Sequence, residues 1–195
     1  MWKYSEKLMD HFMNPRNTGQ LLNPDGHSEV GSPQCGDVMT LDIKVDDEDR
    51  IAEIRFMTFG CAGAIAAASA LTEIAKGKTL KEALCISNDQ IVGFLGGMPE
   101  EKYHCSVMGH EALSMAIDDF RHRRDNTSEH LDSILSEMPA DLAAAVGNGS
   151  IRIEHVHPMR VCVRFSGGDE GTVKAVLEKK LRKLAGKIVK VIVNR

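Results

Sequence analysis

The sequence predicts an α+β protein: an antiparallel sheet packed with helices, followed by a second small α+β domain. Three observations lead there. Apolar residues alternate with polar ones at Leu41, Ile43 and Val45 and resume at Ile54 and Phe56 beyond the acidic run Asp46-Asp47-Glu48-Asp49, as in a half-buried hairpin. Other segments repeat their apolar residues every three or four positions, as amphipathic helices do. Finally, residues 121–130 contain no apolar side chain, which leaves nothing to bury against the entropy of ordering them. Residues 1–122 and 131–195 are therefore read as two domains, with 123–130 as the linker.

The elements follow in order. Tyr4, Leu8, Met9, Phe12 and Met13 trace a helix over 2–13, stopped at Asn14 because the residue before Pro15 avoids the helical region. A Gly- and Pro-rich loop extends to Gly36, and the hairpin comes next. Residues 63–76 are rich in Ala and Leu and read as a helix ending before Gly77. Further helices are expected over 79–85, 88–94 and 106–121, the last on the face Val107, Met108, Ala112, Met115, Ala116 and Phe120. Beyond the linker come a helix over 131–146 and strands at 151–154 and 160–165. A Lys-rich helix follows, with Val173, Val176, Leu177, Leu181 and Leu184 on one face, and then a strand at 188–193.

Composition narrows the function. Hydrophobic residues make up 43% of the 195 and charged residues 27%, ordinary for a soluble protein with a core. No apolar run approaches the ~20 residues of a membrane span, and Met1-Trp2-Lys3-Tyr4 opens no apolar signal segment. A cytoplasmic location is expected, where thiols stay reduced. The five cysteines then suggest ligands or reactive thiols rather than a disulfide framework. Residues 1–130 hold 13 Lys/Arg against 21 Asp/Glu, and residues 131–195 hold 11 against 7. That asymmetry supports two modules. With a pI of about 6.1 and no basic patch interleaved with aromatics, nucleic acid is not an expected partner.

Three cysteines have chemically loaded neighbours: Cys35 in Pro33-Gln34-Cys35-Gly36-Asp37, Cys61 in Phe59-Gly60-Cys61-Ala62-Gly63, and Cys105 in Lys102-Tyr103-His104-Cys105-Ser106. Three thiols, the Asp37 carboxylate and the His104 imidazole form a ligand set for a soft metal or an iron–sulfur centre. Cys61 falls between a strand end and a helix start, where unpaired amides favour a thiolate, and Cys105 precedes a helix in the same way. Gly36 and Gly60 allow close backbone approach. The long spacings exclude a zinc ribbon or finger, so tertiary structure must assemble the site.

The remaining signals have simpler readings. Cys85 and Cys162 read as core or partly buried packing cysteines. His155 and His157 read as surface or loop histidines, and His110 as part of a solvated helix face. The acidic run lacks the ligand register of a calcium loop, and Gly167-Gly168 lacks the Lys-Ser/Thr of a phosphate loop. Ser69, Ser106 and Ser114 have no nucleophile context. The Lys-rich helix reads as solvated.

From Tyr4 to Phe120, the segments Asn14-Pro15-Arg16-Asn17, Cys35-Gly36-Asp37-Val38-Met39, Thr58-Phe59-Gly60-Cys61 and His104-Cys105-Ser106 make the chain resemble the NifU/IscU family of iron–sulfur cluster assembly scaffolds. The resemblance implies a SufE/NifU-like fold and a labile [2Fe–2S] cluster on Cys35, Cys61 and Cys105, with Asp37 as the oxygen ligand that keeps it exchangeable. It makes His104 an alternative ligand, Cys105 the acceptor of persulfide sulfur from a cysteine desulfurase, and Lys102 a partner for Asp37 when metal is absent. The expected partners are the desulfurase, apo iron–sulfur proteins and a second copy of the chain, with no membrane and no enzymatic turnover.

Gly97-Met98-Pro99-Glu100-Glu101-Lys102 departs from the Leu-Pro-Pro-Val-Lys of the IscU subgroup and sides with NifU. Residues 172–181 and 188–193 resemble an Nfu domain whose C-x-x-C is replaced by Ser166-Gly167-Gly168-Asp169-Glu170-Gly171. Two other readings fit the same donors: a zinc-dependent sulfurtransferase that accepts persulfide sulfur, and a structural zinc protein.

Overall fold

The computed structural model describes residues 4–32, 36–185 and 189–194. The chain divides into two compact units, Met1–Phe120 and Arg121–Arg195. In the first, helix α1 (Glu6–Met13) begins where the Ser5 hydroxyl accepts from the Leu8 amide at 3.0 Å, and it turns Leu8 and His11 inward. Strands β1 (Gly26–Ser32), β2 (Asp37–Val45) and β3 (Ile51–Phe59) form an antiparallel sheet in that order. The central strand drives its burial, with Met39, Leu41, Ile43 and Val45 all inside.

Strand β1 lies where the sequence suggests only a loop. Its Gly, Ser and His residues give almost no apolar alternation, so the periodicity signal is missing. Backbone pairing to β2 makes it a strand, and the Ser28 hydroxyl donates to the Ala112 carbonyl at 2.7 Å. A Cβ on Gly26 would collide with the Ala116 carbonyl oxygen, so only glycine fits there.

Helix α2 (Ala62–Ala75) is buried along most of its length through small side chains, with Ala64, Ala66, Ala67, Ala68 and Ala70 fully inside. Helices α3 (Leu80–Leu84) and α4 (Asn88–Phe94) are too short to stand alone. Each is fixed by a reciprocal capping box, Thr79 with Glu82 and Ser87 with Gln90. A 3-10 turn at Glu100–Lys102 leads into helix α5 (Tyr103–Glu137).

Residues 123–130, expected as a linker, are helical within α5. No Pro or Gly interrupts residues 110–137, and Arg and Glu are good helix formers. Thr127 is buried, and its hydroxyl donates to the Arg123 carbonyl at 2.8 Å. An apolar-free stretch can thus be helical. The helix expected over 131–146 is instead broken. Pro139 disfavours helical backbone at Met138, whose φ is +37°, and α6 (Ala140–Val146) starts anew.

The second unit continues with β4 (Ser150–His157), β5 (Arg160–Ser166), α7 (Glu170–Ala185) and β6 (Lys190–Asn194). β4 and β5 are antiparallel, while β5 and β6 are parallel. Leu131, Ile134, Leu142, Val161, Val163 and Leu177 belong to its core. His155 and His157 are not in a loop. Past a register shift between Ile153 and His155, β4 runs on to His157, which is buried. The Leu184 side chain and Ile188 lie outside the described residues. No described helix is long and apolar enough to cross a membrane.

His11 joins α1 to its neighbours. Its Nδ1 lies 2.8 Å from the Ser69 hydroxyl, its Nε2 3.5 Å from the Glu73 carboxylate, and its ring edge packs on Phe94. Burial first, then the Arg16 charge, push its pKa below the ordinary 6.5, against the pull of Glu73 and Asp10. As pH falls through 6.5 the unfolded chain takes this proton before the folded one, so the folded state loses stability. Thermal melts across that range should show a loss for the wild type that is smaller in His11→Gln. Equal pH slopes for the two would contradict this reading.

Candidate metal and sulfur site

Three chain ends converge to form the site. Asp37 opens β2, Cys61 is the N-cap residue of α2, separated from β3 by Gly60, and Cys105 lies in the first turn of α5. Among the described residues, Asp37, Cys61 and Cys105 place one ligand atom each within 4.8 Å of one another. The two sulfurs are 3.6 Å apart. Asp37 and Cys105 are buried and Cys61 is half-buried. Cys35 lies outside the described residues.

Glycines make this convergence sterically feasible. Gly36 sits at φ +70°, which turns the chain into β2 at Asp37. A Cβ on Gly60 would lie 2.9 Å from Asp37 Cγ, closer than real Cβ atoms come. A Cβ on Gly63 would stand 3.5 Å from the Cys105 sulfur and 3.6 Å from the Cys61 sulfur. That residue therefore sets how much space remains beside the thiols.

The site's electrostatics are those of a crowded donor set. Burial first, then the neighbouring Cys61 and Asp37, push the Cys105 thiol up to about 12, with Lys102 opposing. The Lys102 ammonium is in turn held protonated above its usual range, chiefly by Cys61, with Cys105 and Tyr4 adding to the effect. Nothing in the sequence signals that Tyr4, expected only as a helix residue, acts on residue 102. No ion pair joins Lys102 to Asp37 among the described residues. The Asp37 Oδ2 is instead buried with no hydrogen-bond partner. An orphaned buried carboxylate oxygen facing two thiols fits a cation such as zinc or iron.

The other sequence candidates fall elsewhere. His104 is outside the 4.8 Å group, although its Nε2 is buried with no hydrogen-bond partner among the described residues. His110 is half-buried rather than solvated, with a buried Nδ1. Cys85, expected to pack, is exposed. Helix α3 buries Leu80 and Ala83 and then Ile86 follows them inside, and residue 85 falls off that face. Cys162 is half-buried. Ser69 is fully buried and accepts from the Arg16 amide at 2.9 Å, a structural role.

Gly60→Ala should drive Asp37 away from the sulfurs. Repositioning a ligand of this kind costs about 10–100-fold in metal affinity. Zinc titration against a competing chelator measures the loss, and unchanged affinity would remove Asp37 from the donor set.

The NifU-like N terminal domain family matches residues 3–127. The chain is 54% identical over 117 residues to "Iron-sulfur cluster assembly scaffold protein IscU 1" of Archaeoglobus fulgidus, covering 60% of this chain and 76% of that protein. It is 48% identical over 125 residues to "Iron-sulfur cluster assembly scaffold protein IscU" of Escherichia coli K12, covering 63% of this chain and 97% of that one. To "Nitrogen fixation protein NifU" of Azotobacter chroococcum mcd 1 it is 52% identical over 122 residues, covering 62% of this chain but 40% of that longer protein. Among solved structures, a candidate scaffold for SUF-system cluster assembly from Fervidobacterium islandicum AW-1 superposes with a TM-score of 0.50 at 25% identity. That superposition covers 58% of this chain and 96% of the other. With the match spanning most of its length, the chain belongs to the NifU-like N-terminal domain family.

Proposed function

We propose that the chain is a scaffold on which a labile [2Fe–2S] cluster is assembled from iron and desulfurase-derived sulfur, and from which it passes to apo-proteins. The names of its relatives support this role. The observation that carries it is the buried, unpartnered Asp37 oxygen grouped with the Cys61 and Cys105 sulfurs within 4.8 Å. Iron and sulfide are the cargo; Cys35, Asp37, Cys61 and Cys105 are the proposed ligands, with His104 as an alternative. Thiolates hold the cluster firmly, while one carboxylate weakens the hold, which suits a centre that must leave. Zn²⁺ suits the same donors when no cluster is present.

Cys105 is the proposed sulfur acceptor. Once deprotonated, its sulfur attacks the outer sulfur of the desulfurase persulfide. A new Cys105 persulfide forms, and the desulfurase cysteine leaves as a thiolate. The Lys102 ammonium beside the two cysteines offsets the negative charge that this step requires. The protein acts as a carrier that is itself loaded and unloaded, in a reducing cytoplasm, and a second copy of the chain is a candidate partner in holding the cluster.

Anaerobic reconstitution with iron, cysteine and a cysteine desulfurase tests the proposal, read by absorption and Mössbauer spectra and by iron and sulfide counts. A [2Fe–2S] signal that moves to an apo-ferredoxin is expected. A colourless protein that keeps zinc and carries persulfide on Cys105 would favour sulfur transfer instead. Cys35→Ser, Cys61→Ser and Cys105→Ser should each abolish reconstitution; a normal cluster in any of them would remove that residue from the ligand set. Asp37→Ala should slow cluster release to the ferredoxin, and faster release would contradict the weak-ligand argument.

A further inference from the structure

The first unit carries a second thiol-bearing site, apart from Asp37, Cys61 and Cys105. A cavity of about 630 Å³ opens at the end of α2 and along α3 and α4, lined by Ile74, Lys78, Lys81, Cys85, Ile86 and Phe94, with Glu82 and Gln90 beside them. Its volume lies within the roughly 300–1,000 Å³ of small-molecule sites. Ile74, Ile86 and Phe94 supply an apolar floor, and Lys78 and Lys81 a cationic rim. Lys81 and Cys85 are four residues apart along α3 and its C-cap, and so share a face. The Cys85 thiol is exposed.

The charge at this cavity runs against the rest of the unit. Residues 1–120 hold 10 Lys/Arg against 19 Asp/Glu. Yet Lys76, Lys78 and Lys81 lie within six residues here, Arg50 donates to the Gly77 carbonyl at 3.1 Å, and Lys7 stands 3.4 Å over the Phe94 ring. The carboxylate in the lining is already engaged. Glu82 accepts from the Thr79 amide at 2.8 Å and its hydroxyl at 2.9 Å, and lies 3.9 Å from Arg50. Among the described residues no ion pair joins Lys78 or Lys81 to a carboxylate, and a ligand with its own carboxylates would complement them.

We infer that this cavity is a modification site at which Cys85 forms a mixed disulfide with a small, carboxylate-bearing thiol of the glutathione class. The incoming oxidant is that thiol's own disulfide. The Cys85 thiolate attacks one of its sulfurs, the original S–S bond breaks, and a protein–ligand S–S bond forms. One thiol leaves as a thiolate and takes up the proton that Cys85 gave to solvent. Lys78 and Lys81 pair with the carboxylates of the bound half, and the apolar floor takes its methylenes. The inference stands independently of the scaffold reading, because it uses none of the cluster ligands.

The test is kinetic and uses the full chain with glutathione disulfide as the probe and the uncharged 2-hydroxyethyl disulfide as the reference. Peptide mass mapping follows Cys85 alone. The double variant Lys78→Glu/Lys81→Glu should slow the glutathione reaction at Cys85 by about tenfold, in line with electrostatic steering of charged ligands. It should leave the reaction with the neutral disulfide within about twofold, a margin beyond which the loss is not one of charge. The neutral disulfide also reports folding, since an unfolded variant would react faster with both. The excess rate should shrink as salt rises, and Cys85→Ser should abolish the adduct at this peptide. Equal slowing of both reagents, or no slowing of either, would overturn the inference. So would glutathione adducts that form at Cys61 and Cys105 while Cys85 stays free.

Discussion

Two thiols and a carboxylate held within 4.8 Å of one another are the constraint on which the first unit depends. Like-charged donors at that separation repel when ionised, and burial adds a desolvation penalty. The fold meets this by keeping Cys105 protonated, by placing the Lys102 ammonium beside the sulfurs, and by leaving one Asp37 oxygen without a partner. A cation resolves all three tensions together. The surrounding elements can be understood as the means of holding the donors there while they wait.

Those means are mostly steric. An alanine-lined α2 lets its N-terminus sit close to the ends of β2 and β3, and the glycine at 60 leaves room where any side chain would crowd Asp37. His11, Ser69 and Glu73 secure α1 on the outer turns of α2. Close packing transmits strain readily, so the position of Cys61 at the helix start depends on contacts well away from the metal donors.

Much of this was legible in the sequence because chemistry and steric need leave local marks. The hairpin alternation and the alanine-rich helix each predicted their element, and Cys61 takes the helix-start position expected of it. What was hidden depended on pairing or on long-range geometry. β1 has no apolar rhythm and exists through its backbone bonds to β2. The charged stretch at 123–130 reads as a linker by composition, yet no Pro or Gly interrupts it, Arg123, Arg124 and Glu129 favour helix, and Thr127 finds a buried place. Pro139 marked the break before α6, but the apolar residues on either side masked it. Cys85 looked like packing because Leu84 and Ile86 flank it, and only the helical phase of α3 shows that it faces outward.

The capping boxes of α3 and α4 have a consequence beyond helix stability. Glu82 and Gln90 both border the Cys85 cavity, and both side chains are already committed, one to the Thr79 amide and the other to the Ser87 amide. Side chains that would otherwise sample several rotamers are thus frozen before any ligand arrives. Immobilising a flexible side chain on binding costs about 0.5–1.5 kcal/mol, and here folding has already absorbed that entropy. The cavity wall is preorganised by the same bonds that begin its helices.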